Sequence, residues 1–290
     1  MRYSRGGIVA VLLAAEIFIA GAIMWSLGAR NFPMYAYAGG LHRVDQGGKT
    51  FAPIDAGGAP HVVIDDPDSG VAVTPSGDGK VHVTDASQIH GWLWSHRSRP
   101  ALQVTRTADG ISIQRPGDNN VHFAMFGFDA EHIDVAVPAG SLLEIRRCSG
   151  ADVSGLTGQM RIHSVDGHIA LTNVHAGALA LSSDDGSLRL NDVIAPAIDA
   201  STKDGSIRAQ GLQVGGGTLR TDDGSVTLDL LDSNLTVHAR TQDGSLRFNG
   251  RRTESDAGAT SGDFQIGSGS GSLAVSTQDG SIHITTNGAQ

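Results

Sequence analysis

One short pattern recurs six times in the C-terminal half of the chain and constrains its fold more than any other feature. It consists of Ser or Thr, any residue, Asp, Gly, then Ser or His, then an aliphatic residue. The repeated pairs are Asp166 and Gly167, Asp185 and Gly186, Asp204 and Gly205, Asp223 and Gly224, Asp243 and Gly244, and Asp279 and Gly280. Successive aspartates lie 19, 19, 19, 20 and 36 residues apart. A fixed period of this length indicates a repeat protein whose units stack on one another.

Apolar residues alternate with polar ones on both sides of each Asp-Gly pair, which predicts two short strands in every repeat. Isolated hairpins would have no second apolar face to pack against. We therefore predict an all-β fold, a β-solenoid with about 19 residues per coil. The aliphatic residues three positions after each aspartate should form one buried ladder: Ile169, Leu188, Ile207, Val226, Leu246 and Ile282. Val174, Val193, Leu212 and Leu231 predict a further inward stripe.

The Asp-Gly pairs are interpreted as structural turns. Glycine tolerates a positive φ, and an Asp side chain accepts local backbone N–H bonds. Alternatively, six stacked carboxylates offer oxygen ligands to Ca²⁺. The Gly-Gly-x-Gly-x-Asp nonapeptide of calcium-binding β-rolls is absent, so we predict turns and no metal site.

Composition agrees with a thin repetitive β-structure. The chain has 39 glycines, 5% aromatic residues and 40% hydrophobic residues, too little bulk for a thick core but too much for disorder. A net charge of −9 argues against a nucleic-acid partner. The single cysteine, Cys148, excludes an internal disulfide.

The N-terminal segment predicts one transmembrane helix. Residues 6–27 contain only Glu16 and Ser26 as polar residues, and 22 helical residues span roughly 33 Å, enough for a hydrocarbon core of ~30 Å. Arg2 and Arg5 predict a cytoplasmic N-terminus. We thus expect a tail at 1–5, a helix at 6–29 and an extracytoplasmic C-terminal part, in a single-pass protein of the bacterial inner membrane. A cleaved signal peptide ending at Ala38 is the alternative.

The remaining chain divides into three parts. We predict a linker at 30–60, an irregular β cap at 61–137 and the solenoid at 138–290, with an inserted surface loop at 250–262. The final strand, Ser281 to Thr286, has no later coil to pair with, so its edge should favour self-association. Alternatively, the terminal residues 287–290 fold back over that edge, or the 250–262 loop covers it.

Other candidate groups carry weaker signals. His163, His168 and His175 lie close in sequence but lack metal-ligand spacing, and Trp92 and Trp94 would share a strand face, either over the end of the core or against sugar rings. Five arginines are expected to scatter singly over the surface: Arg189, Arg208, Arg220, Arg240 and Arg247.

The segment HIDVAVPAGSLLEIRRCSGADVSGLTGQMRIHSVDGHIALTNV, at residues 132–174, runs into the repeats and carries a Pro138-x-Gly140 turn. Here the chain resembles the putative-adhesin family of bacterial β-strand repeat proteins, a domain of unknown function. The resemblance covers roughly residues 61–290 and implies a β-solenoid, often tethered by an N-terminal helix, without catalytic residues.

These observations together predict a non-enzymatic protein without a cofactor, acting in adhesion, scaffolding or envelope sensing, with an envelope protein or a glycan as ligand. A polymer-forming structural protein is one alternative. A glycan-active β-helix enzyme is another, and it would need a carboxylate of raised pKa in a groove.

Overall fold

The computed structural model describes residues 41–46, 48–94, 100–116, 123–231, 234–253 and 259–287. For residues 41–46, 89–94, 123–130 and 287 it describes the backbone. The predicted tail at 1–5 and transmembrane helix at 6–29 lie outside these residues. The described part of the chain holds no helix with the length and apolar character that a membrane crossing requires.

All of the regular secondary structure among the described residues consists of β-strands. In chain order these are β1 Leu41–Gln46, β2 Lys49–Thr50, β3 His61–Asp65, β4 Gly70–Pro75, β5 His82–Asp85, β6 Gln88–Trp94, β7 Gln103–Arg106, β8 Gly110–Gln114, β9 Phe123–Ala130, β10 His132–Val137, β11 Leu142–Arg147, β12 Gly150–Ser154, β13 Thr157–Ser164, β14 Ile169–Ser183, β15 Leu188–Ala195, β16 Ile198–Thr202, β17 Ile207–Val214, β18 Gly216–Thr221, β19 Val226–Leu231, β20 Leu235–Asp243, β21 Leu246–Phe248, β22 Arg251–Arg252, β23 Thr260–Ile266, β24 Gly271–Asp279 and β25 Ile282–Asn287.

Two parallel ladders of strands build the body of the molecule. Ladder A runs, in spatial order, through β8, β3, β11, β13, the second half of β14, β16, β18, β24 and β20. Ladder B runs through β10, β4, β12, the first half of β14, β15, β17, β19, β25 and β21. Each coil contributes one strand to each ladder. The all-β, solenoid-like class predicted from the repeat is confirmed.

The aliphatic core lies between the two ladders. All six residues of the ladder expected from the repeat have 0% exposure and pair in register, in the spatial order Ile169, Leu188, Ile207, Val226, Ile282, Leu246. In the second stripe Val174, Val193 and Leu212 are buried, but Leu212 pairs with Leu230 and not with the predicted Leu231. A register irregularity between Ala209 and Leu212 causes this one-residue shift.

The final strand is not an edge, which contradicts the expectation for Ser281 to Thr286. β25 pairs with β19 on one side and with β21 on the other, and β24 likewise lies between β18 and β20. The last coil of the sequence is therefore inserted before the coil that contains Asp243. The intervening chain supplies β22 and β23, which pair antiparallel with β21 and β20 at the physical end of the solenoid.

The predicted domain limits differ from the architecture in three places. Within the 250–262 loop, β22 and the start of β23 are strands, whereas residues 254–258 lie outside the described part. The 30–60 linker contains β1 and β2. Strands β3, β4, β8 and β10 belong to the two ladders, so the solenoid extends to the N-terminal side of residue 138. A separate antiparallel sheet joins β1, β6 and β9.

Candidate functional site

The Ser or Thr that opens each repeat forms a buried column of hydroxyl groups, and sequence reasoning missed its role. The members are at most 4% exposed: Ser164, Ser183, Thr202, Thr221, Thr277 and Thr241. Ser183 Oγ donates to Gly167 O at 3.2 Å, and Thr202 Oγ1 donates to Gly186 O at 2.8 Å. Each such bond ties one coil to the next. The occurrence of Ser or Thr in every copy was the signal available in the sequence.

The glycines of the six Asp-Gly pairs lie at the corners between the two ladders, and we call them the corner glycines. They are needed for close stacking of the coils and not for a positive φ. None of the six has a positive φ. A Cβ at Gly186 would instead lie 1.8 Å from Gly167 O, and one at Gly205 would lie 2.2 Å from Gly186 O. The left-handed bend occurs elsewhere in the coil, at Asn173 and Asp192, both with φ of 53°. The prediction that these glycines are needed for a positive φ is therefore wrong.

The six repeat aspartates lie exposed along one edge of the solenoid. Desolvation, together with the charges of Asp279 and Asp204 on neighbouring coils, raises the pKa of Asp223. Beside this row of repeat aspartates, Lys203 Nζ pairs with Asp184 Oδ1 at 2.6 Å. In the described part of the chain, the residues close enough to share a metal ion form one group, and none of these six aspartates belongs to it.

Two arrangements of carboxylates bear on a catalytic role, the pair Asp223 and Asp279 and the single residue Glu144. Asp223 and Asp279 face each other on adjacent coils, but both side chains are exposed to water. Glu144 lines a groove of about 270 Å³ and accepts a bond from His61 Nε2 at 2.9 Å. A hydrogen bond from Arg146, assisted by His61, lowers the pKa of Glu144, so this carboxylate is poorly suited to donate a proton.

The three histidines do not converge. His163 Nδ1 lies 2.9 Å from Ser182 Oγ, His168 Nε2 lies 3.2 Å from Asp152 Oδ1, and His175 is exposed on β14. Cys148 is buried at 0% exposure, and burial raises the pKa of its thiol.

Trp92 and Trp94 lie on β6, in the separate antiparallel sheet. The described residues include the backbone of this strand, so the predicted role of the two rings stays a prediction.

The arginines of ladder B are not scattered. Arg189 pairs in register with Arg208, which is followed on successive strands by Thr227, His283 and Arg247, and Arg252 lies opposite Arg247. We call Arg189, Arg208, Arg247 and Arg252 the arginine column. All four are exposed, and none forms an ion pair with a described residue. Neighbouring strands lie about 4.8 Å apart, so the column extends about 24 Å across ladder B.

Polar side chains accompany the arginine column on the same outward face. Two residues further along the first four strands stand Asn191, Gln210, Asp229 and Thr285, and Asn249 follows the end of β21. Because side chains two residues apart share one face of a strand, these amides, one hydroxyl and the Asp229 carboxylate lie on the same face as the guanidinium groups. The surface therefore combines cationic groups with hydrogen-bond donors and acceptors. By contrast, Arg220 on ladder A pairs with Asp222 at 2.8 Å.

Residues 61–290 match the model of the family described as Toastrack DUF4097. The chain belongs to the Toastrack DUF4097 family. The resemblance to the putative-adhesin family that the repeats suggested is thereby confirmed. No curated protein matches the chain.

Several solved structures resemble the Toastrack chain. A putative adhesin from Bacteroides fragilis NCTC 9343 is 14% identical, with 83% of this chain and 97% of that chain covered and a TM-score of 0.43. A putative adhesin from Parabacteroides distasonis ATCC 8503 is 11% identical, with 86% and 98% covered and a TM-score of 0.38. A putative cell adhesion protein from Clostridium sporogenes ATCC 15579 is 10% identical, with 84% and 100% covered and a TM-score of 0.33.

Proposed function

We propose that this protein is a membrane-anchored, non-enzymatic adhesion module whose solenoid binds an acidic glycan outside the cytoplasm. The arginine column carries the proposal. It is a row of exposed cations without ion-pair partners among the described residues, on a chain whose net charge is −9. A row of arginines without ion pairs on an acidic protein favours an anionic partner.

The chemistry of the column favours a carboxylated polymer. A guanidinium group forms two parallel hydrogen bonds with a carboxylate, which makes arginine well suited to such groups. The adjacent amides and hydroxyls suit the hydroxyl groups of sugars. An extended, flat row of this kind fits a polymer better than a small molecule, which usually binds in a concave pocket.

Membrane attachment is proposed from residues 6–29, which are apolar over the length of a bilayer core and follow two arginines. This orientation would place the Toastrack domain outside the cytoplasm, where envelope glycans occur. Protease treatment of spheroplasts tests it, because an added protease should degrade the domain in intact spheroplasts. Protection until lysis would refute the orientation.

The binding proposal is tested with full-length protein in nanodiscs, a polyuronic acid as ligand and neutral dextran as control. We expect salt-sensitive binding of the polyuronic acid alone. The double variant Arg189→Ala/Arg208→Ala should weaken binding about 2- to 30-fold, because two exposed charged contacts are worth about 0.2 to 1 kcal/mol each. Arg220→Ala/Arg240→Ala is the matched control, since it removes two arginines from ladder A and should bind normally. Equal losses in both double variants would refute a specific role for the column.

The two alternatives receive less support from the geometry. Antiparallel β22 and β23 cover the C-terminal end of the solenoid, which removes the edge on which polymerisation was expected to depend. The Asp223 carboxyl, the one with a raised pKa in the described part of the chain, is exposed at a corner and lacks the groove that a glycan-cleaving site requires.

A further inference from the structure

A buried carboxylate takes the place of a hydroxyl group in the hydroxyl column at the N-terminal end of the solenoid. Asp66 follows Ile64 by two residues, as Ser164 follows Ile162, so it occupies the place of the column hydroxyl on its coil. Its side chain is 1% exposed. Oδ2 accepts bonds from Arg115 Nε at 2.8 Å and from Ser69 Oγ at 2.9 Å. That oxygen therefore has two strong donors.

The other oxygen of the same carboxylate is different. Asp66 Oδ1 is buried and has no hydrogen-bond partner. Arg115 bonds the other oxygen through Nε, and its Nη2 and Nη1 groups bond Asp85 Oδ2 at 3.0 Å and Pro100 O at 2.9 Å, respectively. Leaving a charged acceptor buried and unsatisfied is strongly unfavourable, so the site calls for a positive ligand at this oxygen.

Two further carboxylates meet Asp66 at this point. One oxygen from each of Asp66, Asp68 and Glu131 lies within 4.8 Å of the others. We propose that these three residues bind a divalent cation, and that the cation is Ca²⁺. The donors are all carboxylate oxygens, without nitrogen or sulfur, which suits a hard cation and disfavours zinc or copper. Calcium accepts irregular oxygen sites completed by water, whereas magnesium demands near-octahedral geometry.

The placement of the three residues gives the site access and a structural consequence. Asp68 is exposed, so a cation can enter from solvent, while Asp66 closes the inner side. Asp66 and Asp68 lie in the corner between β3 and β4, and Glu131 lies between β9 and β10. A bound ion would clamp the solenoid corner to the point where the chain leaves the separate sheet. The site is distinct from both the corner aspartates and the arginine column.

The test measures thermal unfolding of the full-length protein in EDTA and in 10 mM CaCl₂, at matched ionic strength. If the dissociation constant is about 1 mM, calcium should raise the Tm by about 3 to 6 °C. Asp68→Asn and Glu131→Gln should each abolish the calcium-dependent rise in Tm, because each removes one of the three carboxylate ligands. Asp166→Asn is the matched control, since it neutralises an exposed corner aspartate and should keep the full rise.

Three results would overturn the proposal. One is an unchanged Tm of the unmodified protein in calcium. Another is a rise that persists in both Asp68→Asn and Glu131→Gln. The third is loss of the rise in Asp166→Asn, which would assign calcium binding to the row of repeat aspartates. Calorimetric titration of CaCl₂ into the unmodified protein supplies a second measurement that does not depend on the variants, and absence of binding heat together with an unchanged Tm would refute the site.

Discussion

Replacement of Gly186 by Ala tests why glycine follows aspartate in every coil. The new Cβ would lie 1.8 Å from Gly167 O and 2.4 Å from Gly167 C, whereas real Cβ contacts essentially never fall below 3.0 Å. Both neighbours are backbone atoms, so no side chain can rotate away. The two coils must therefore separate locally by more than an ångström.

Separation of this size breaks hydrogen bonds between the coils. Ser183 Oγ donates to Gly167 O at 3.2 Å, and Asp185 N donates to Val165 O at 3.2 Å, so both bonds would exceed hydrogen-bonding distance. Two lost bonds cost about 1 kcal/mol each, and overpacking adds about 1 to 3 kcal/mol. We expect Gly186→Ala to lower the free energy of unfolding by about 3 to 5 kcal/mol and the Tm by about 10 °C.

Gly177→Ala is the matched control, because Gly177 is exposed, has no positive φ and would place its Cβ 3.6 Å from the flexible Gln159 side chain. It should be neutral or slightly stabilising. Thermal unfolding of the full-length protein, followed by far-ultraviolet circular dichroism, compares the two. Gly186→Asn separates the explanations further, since asparagine tolerates a left-handed backbone. Equal stability of Gly186→Ala and Gly177→Ala, or rescue by Gly186→Asn, would refute the close-stacking argument.

Three further predictions follow from the core, the hydroxyl column and the corner charges. Leu188→Asp should unfold the solenoid because it places an unpaired charge in the core, whereas Asp204→Asn, at an exposed position, should change stability little. Chemical denaturation measures both, and equal losses of unfolding free energy in the two variants would contradict this prediction. Ser183→Ala should cost about 2 kcal/mol because it removes bonds to Gly167 O and from Gly186 N, while Ser201→Ala should cost less than half as much by the same assay. Desolvation and neighbouring charges raise the pKa of Asp223, so the folded state binds more protons and stability falls as pH rises from 3.8 through the folded pKa. Asp223→Asn should therefore raise the Tm at pH 7 and not at pH 3, and the same gain at both values would contradict the repulsion.

Much of the local structure was predictable from the sequence for a simple reason. Period-two alternation specifies which side chains enter the core, because a one-residue slip would turn every apolar residue outward. The 19-residue spacing then places Leu188 beside Ile207 without further information. The same spacing places Arg189 beside Arg208, so the arginine column follows from the repeat, in contrast to the predicted scatter of single arginines.

The tertiary structure alone decided the order of the coils at both ends and the cluster that depends on it. Equivalent coils present nearly identical columns of apolar side chains and backbone donors, so local pattern cannot distinguish pairing of β25 with β21 from leaving it as an edge. The pairing of β25 with β21 is favoured because β22 and β23 then pair with the strands at the end of the solenoid. Its stability is the sum of contacts between residues far apart in sequence. The meeting of Asp66 with Glu131 has the same origin. The Asp66-x-Asp68 spacing was visible, but the third carboxylate arrives from a strand junction 63 residues beyond Asp68, which only the stacking of β10 on β4 brings near.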